Sequence, residues 1–201
     1  MDLVLQINDI KEYLKSSDII DYGDPQIVEL AHDLSKGIKD EVQLAKRVYE
    51  YVRDGIMHSN DIGGTIVTYR ASEVLKHRQG VCYAKAHLLA AILRHLGMPT
   101  GFCYQTLVLD DTEKPWLVVH GLNAIYLKSL SKWIRVDARG NKPGVNAEFS
   151  TEDERLAFPV REELGERDGQ IIYAIPNEKV VQALIANKTT TELMDNLPSG
   201  L

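Results

Sequence analysis

Three residues offer the sequence's most specific chemistry: Cys82, His120 and Asp137. Cys82 follows Gly80-Val81 and opens a run with helical period. The free N–H groups and dipole at a helix N-terminus favour an anion, so a thiolate there is stabilised, and the thiolate is the nucleophilic form. The same groups, the Cys82 N–H among them, can hold a developing oxyanion. Gly80 lets backbone or substrate approach closely. A thiol nucleophile works best beside a base that a third group orients. His120 stands within Val118-Val119-His120-Gly121-Leu122-Asn123, where an imidazole needs a partner. Asp137 ends the run Lys132-Trp133-Ile134-Arg135-Val136-Asp137. Adjacent antiparallel strands would set His120 and Asp137 side by side, with Asp137 accepting the histidine Nδ1–H and fixing its tautomer.

The elements that must position these residues can be read from periodicity. Leu3, Ile7, Ile10 and Leu14 recur at helical spacing, which predicts a helix over residues 3–15. Asp24-Pro25 is an N-cap with proline at the first helical position, opening a helix that stops at Gly37. Asp40 caps another, with Val42, Ala45, Val48, Tyr49 and Val52 facing inward. Residues 55–69, with Gly63-Gly64, read as a loop, followed by a short helix from Ala71 to Leu75. The strongest helix runs from Cys82 to Leu96, its apolar face Ala84, Leu88, Leu89, Ala91, Ile92 and Leu96, and Gly97 and Pro99 end it. Phe102–Leu109, Leu117–Leu127 and Trp133–Val136 are rich in β-branched and aromatic residues. They predict antiparallel strands, because Asp110–Pro115 and Lys128–Lys132 between them are short and turn-like. Asn141-Lys142-Pro143-Gly144 is a turn, a closing helix is expected from Asn177 to Ala186, and residues 187–201 read as a frayed tail. Helices first and strands later give an α+β class in one domain, with a helical part over 1–54 and a catalytic core over 70–140.

The text Tyr69-Arg70-Ala71-Ser72-Glu73-Val74-Leu75, then Gln79-Gly80-Val81-Cys82-Tyr83-Ala84-Lys85-Ala86, then Leu88 through Pro99, resembles the transglutaminase-like superfamily. So do His120 before a strand, the stretch Trp133–Asp137, and the chain order Cys, His, Asp. The resemblance covers most of the chain. It implies a papain-like α+β core, with a nucleophile-bearing helix packed on an antiparallel sheet. It further implies attack on a carboxamide or peptide carbonyl through a cysteine thioester, with transfer to an amine or to water. Tyr83 stands where the animal cross-linking enzymes have tryptophan, which favours a cysteine peptidase or amidase over a protein cross-linker.

Bulk properties narrow the alternatives. The chain has 201 residues, 44% hydrophobic and 26% charged, with formal net charge −6. An acidic chain without a Lys/Arg cluster is a poor nucleic-acid binder. No apolar run approaches the ~20 residues of a membrane span. Two cysteines make no disulfide framework, and the acidic Met1-Asp2-Leu3-Val4 start is unlike a signal peptide, so a reducing cytoplasm is the expected compartment. Cys103 reads as core. His87 and His95 are not spaced as a metal pair, His32, His58 and His77 stand alone, and no Cys/His cluster has zinc-ligand spacing, so no metal and no cofactor is expected. Gly63-Gly64 lacks a phosphate-binding pattern. Gln79 and Tyr69 are candidates for a second oxyanion donor. The expected partner is a peptide or protein amide substrate. The rival readings are an inactive transglutaminase-like interaction module and, ranked last, an arylamine-type acetyltransferase using acetyl-coenzyme A.

Overall fold

The computed structural model describes residues 2–109 and 116–201; the expected Asp110–Pro115 turn lies outside the described residues. Helices α1 (Pro25–Ser35) and α2 (Glu41–Gly55) start as their sequences require. The Asp24 carboxylate accepts from Gln26 N, with Pro25 at the first position, and Asp40 accepts from Gln43 N at 2.8 Å. Each buries one face: Ile27 and Ala31 on α1; Ala45, Val48, Tyr49 and Val52 on α2.

After β2 (Met57–His58), α3 (Ala71–His77) and β3 (Gln79–Gly80) comes the central helix α4 (Cys82–His95). It is buried on every side from Tyr83 to Arg94. A helix buried all round belongs in the middle of a core, and α1, α2 and α3 pack around α4 on one side and the sheet on the other. It ends as expected: Gly97 takes φ +79°, Gly97 N donates to Arg94 O and Met98 N donates to Leu93 O.

Strands β4 (Thr100–Leu109), β5 (Trp116–Leu127), β6 (Lys132–Val136) and β7 (Arg167–Asp168) form a sheet in the order β6-β5-β4-β7, all neighbours antiparallel. Two buried cations on α4 tie the layers together. Lys85 is fully buried, and its Nζ donates to the carbonyls of Arg53, Ile56 and Arg139. Arg94 donates to the carbonyls of Lys15, Thr100 and Ala174. Buried charges persist only when so partnered.

Two expectations need correction. Residues 3–15 are not one helix: Val4–Leu5 form β1, which pairs in parallel with β8 (Ile171–Ile172), and only Ile10–Leu14 is helical, as a 3-10 turn. Hydrogen bonds from Val4 N to Gln170 O and from Gln6 N to Ile172 O come from a segment over 160 residues away, and they override the local period. The tail over 187–201 is not frayed. After α5 (Glu178–Ala186), helix α6 (Thr190–Asp195) is closed by a Thr189–Glu192 capping box and buries Leu193 completely. Beyond it, Pro198 O accepts from Val119 N at 2.7 Å, on a stretch of β5 that β6 does not reach.

Candidate active site

Cys82 is the first residue of α4, with Val81 at the N-cap in extended conformation. Its approach is set by Gly80, where a Cβ would come within 2.9 Å of the Ala84 Cβ and 3.1 Å of the Thr68 Oγ1. Only glycine lets the strand β3 turn into the helix this closely. His120 lies in β5, and the adjoining Gly121 has the same function on the sheet side: a Cβ there would meet the Tyr83 ring at 2.7 Å. The face of α4 that follows Cys82 therefore rests directly on the strand that carries His120. The Tyr83 hydroxyl donates to Val119 O and locks that contact.

Asp137 follows the last residue of β6. The final β5–β6 pair is Asn123 with Val136, so Asp137 lies one step past the ladder and reaches diagonally to His120. His120 Nε2 and Asp137 Oδ2 are 2.7 Å apart. The nitrogen facing the carboxylate is thus Nε2, not the expected Nδ1. The imidazole also interacts through its side chain with Cys82. Asp137 is fully buried, and its carboxylate accepts further bonds from Arg139 N (3.0 Å, Oδ1) and Ala157 N (3.1 Å, Oδ2). Phe158 stands edge-on to the imidazole, ring centroids 5.2 Å apart.

The electrostatics follow from this burial. Desolvation alone would lower the His120 pKa, but Asp137 and Cys82, through charge and hydrogen bonds, raise it to about 10. Burial would raise the Asp137 pKa, but His120 and the two backbone N–H groups hold it below the usual carboxylate range. Cys103 contrasts with Cys82. It is fully buried, and burial pushes its thiol up to about 12.

Cys82 and His120 share the wall of a cavity of about 500 Å³. Leu107, Val118, Val145 and Phe158 make much of that wall apolar. Arg139 and Lys142 also line it, both engaged by Asp61, whose carboxylate meets Arg139 at 2.5 and 2.8 Å and Lys142 at 3.0 Å. Met194 and Leu197, from the segment expected to fray, complete one side. Gln79 and Tyr69 are not part of the wall. Among the described residues, no group of three or more His, Cys, Asp or Glu is placed to hold a metal ion.

Sequence reasoning missed several residues around this site. Lys85 hid in the apolar run of α4, and it fixes the carbonyl of Arg139, two residues beyond Asp137. Ala157 and Phe158 come from a stretch with no periodicity. His58, read as a solitary histidine, lines the cavity. Nothing local marked His58, because β2 is only two residues long and too brief to register as a strand.

Comparison with known proteins decides the family. The Transglutaminase-like superfamily family model matches residues 28–138, more than half of the chain and the part that carries all three residues. The chain belongs to the transglutaminase-like superfamily. Among solved structures it is similar to a proposed cysteine protease from Cytophaga hutchinsonii, at 21% identity and TM-score 0.53 over 66% of this chain and 43% of that one. Weaker likenesses are to the periplasmic domain of TgpA from Pseudomonas aeruginosa (18% identity, TM-score 0.45, 66% of this chain and 48% of that one) and to a TGase (15%, 0.46, 86% and 50%). The chain therefore spans half or less of the length of these structures. No curated protein matches it. The likeness in structure shows the fold: an α+β papain-like core, as expected from the sequence.

Proposed function

We propose that this transglutaminase-like protein is a thiol enzyme that transfers the acyl group of an amide through a Cys82 thioester, as a cysteine peptidase, an amidase or a transglutaminase. The observation that carries the reading is the imidazole of His120, held at Nε2 by a buried carboxylate and interacting with Cys82 at the edge of a cavity. The raised His120 pKa keeps the imidazole protonated beside Cys82, ready to give that proton to a leaving group.

The Cys82 sulfur attacks the substrate carbonyl carbon. As the C–S bond forms, the carbonyl π pair moves onto oxygen, where the Cys82 backbone N–H donates to it. Collapse restores the C=O bond and breaks the C–N bond, while the imidazolium of His120 gives its proton to the departing amine. Neutral His120 then takes a proton from water or from a second amine as that group attacks the thioester, and the thiolate leaves. Asp137 keeps the ring oriented and stabilises its charged form throughout. The cavity offers an apolar wall to the acyl side of a peptide or protein. The chemistry needs Cys82 as a free thiol, which a reducing compartment such as the cytoplasm maintains.

A library of glutamine- and glycine-ended peptides, incubated with the protein and with Cys82→Ala, tests the reading by mass spectrometry. Cleaved, deamidated or amine-linked products are expected with the first and absent with the second. Identical products from both would remove it. An interaction module that lacks chemistry would give no products, and its Cys82 would react with iodoacetamide near neutral pH no faster than an ordinary free cysteine.

A further inference from the structure

Stabilising the oxyanion at Cys82 calls for a donor beyond the backbone N–H, and the sequence offered Gln79 and Tyr69. The structure turns both away. The Gln79 Oε1 lies against Gly64, where a Cβ would meet it at 2.4 Å. The Tyr69 ring sits beneath the Arg70 guanidinium, 5.6 Å from its centroid, and its carbonyl is 2.7 Å from His87 Nδ1. We propose that His58 is the second oxyanion donor, binding the substrate carbonyl oxygen beside the Cys82 backbone N–H. This rests on the acyl-transfer reading above and assigns that site one more catalytic residue.

Position carries the argument first. β2 and β3 are only two residues each, but their parallel register sets His58 against Gly80, two residues before the nucleophile. Met57 N donates to Arg78 O at 2.9 Å and Ser59 N to Gly80 O at 3.2 Å, so the backbone on both sides of His58 is pinned to the segment that delivers Cys82. The imidazole lines the same cavity as Cys82 and His120.

The state of the ring carries it next. His58 Nδ1 is enclosed and, among the described residues, has no hydrogen-bond partner. A buried acceptor left unmatched is tolerated better than a buried donor left unmatched. The neutral ring therefore keeps its proton on Nε2, which leaves one N–H to give. The charged groups that face it are Arg139, Asp61, Lys85 and His120. Asp61 is already shared between Arg139 and Lys142, so no carboxylate is free to draw His58 into the charged form. Burial first, then Arg139 and Lys85 against the opposing pull of Asp61, bring its pKa down to about 3. His58 is thus neutral wherever the enzyme could work. It can donate a hydrogen bond without giving its proton to the thiolate. As the C–S bond forms, the electron pair on oxygen accepts the Nε2–H. No proton moves, and collapse of the intermediate releases the bond.

The test separates oxyanion chemistry from mere reactivity of the thiol. Acylation of Cys82 by p-nitrophenyl acetate passes through an oxyanion; alkylation by iodoacetamide does not. In His58→Phe, which keeps a ring and removes the donor, the acylation burst should slow about 10²–10³-fold, the usual effect of losing one such donor. Iodoacetamide labelling should keep its wild-type rate. His58→Gln, which restores an N–H, should recover most of the acylation rate, and Glu29→Gln, exposed on α1 and outside the cavity wall, should change neither rate. Equal loss of both rates in His58→Phe and His58→Gln, or full acylation in both, overturns the assignment and leaves acyl transfer standing. Absence of a burst from the wild-type protein, with Cys82 still alkylated, removes the acyl-transfer reading and this donor with it.

Discussion

Cys82 and Cys103 have the same side chain in opposite surroundings, and the contrast is measurable. Cys82 borders a cavity; Cys103 is sealed among Tyr13, Leu122, Ala124, Ile172 and Ala174. Cys82→Ala removes a sulfur from a cleft and should leave the melting temperature nearly unchanged while abolishing turnover. Cys103→Ala empties a packed site and should cost on the order of 1 kcal/mol without loss of turnover. Thermal unfolding alongside turnover checks both, and a reversed pattern would mean the two thiols have exchanged roles. Asp137→Asn leaves the shape intact but takes away the charge that orients His120. In the serine-protease precedent this costs about four orders of magnitude in rate. A similarly large fall in turnover is expected here, with a detectable remainder from substrate binding and the oxyanion donors. Wild-type turnover in this variant would mean that Asp137 is only the end of a strand.

At the scale of elements, the site depends on two pieces that are short in sequence and distant from it. One is the two-residue pairing of β2 with β3. The other is α6 with the segment after it, which supplies Met194 and Leu197 to the cavity and Pro198 O to β5. Leu193, fully buried on α6, is the anchor, and Thr190 N adds a bond to Thr65 O at 3.3 Å. Leu193→Ala should therefore cost about 2–5 kcal/mol, the range for deleting a buried leucine. Urea unfolding midpoints measure it. A cost no larger than that of an exposed substitution would show that α6 is not docked in solution.

The whole molecule couples its stability to pH through two buried cations with opposite signs. His120 has its pKa raised from 6.5 to about 10. Its contribution is full below about pH 6.5 and is lost as pH rises through 10, because over that window the folded state holds the proton that the unfolded state has released. Lys85 has its pKa lowered from 10.5 to about 7, first by burial and then by Arg139, with Asp137 opposing. Over pH 7 to 10.5 the unfolded state holds more protons at that position, so stability rises with pH. The two slopes oppose each other from pH 7 to 10, and the wild-type protein should be comparatively insensitive there. Asp137→Asn removes the chief cause of the His120 shift and should uncover the Lys85 slope, so that its urea midpoint climbs between pH 7 and 10. A midpoint that falls over that range in the variant would contradict the assignment.

Sequence by itself determined α1, α2, α4 and the strands β4 to β6, and it pointed to the three residues on which the proposed chemistry rests. Each of these is announced by features that act within a few residues: Asp24-Pro25 and Asp40 as caps, Gly97 as a stop, and the run rich in β-branched and apolar residues around His120. Those features are strong because helix caps and strand patterns depend on neighbours in the chain. What only the tertiary structure decided depends on partners far away. Val4 and Leu5 became a strand because β8 was there to bond with them. Residues 190–195 formed a docked helix because the core had room for Leu193. Asp137 meets Nε2 rather than Nδ1, a choice that the packing around the ring makes and the sequence does not carry. His58, with nothing in its own surroundings to mark it, was brought to the cavity by two residues of parallel pairing with the segment before Cys82.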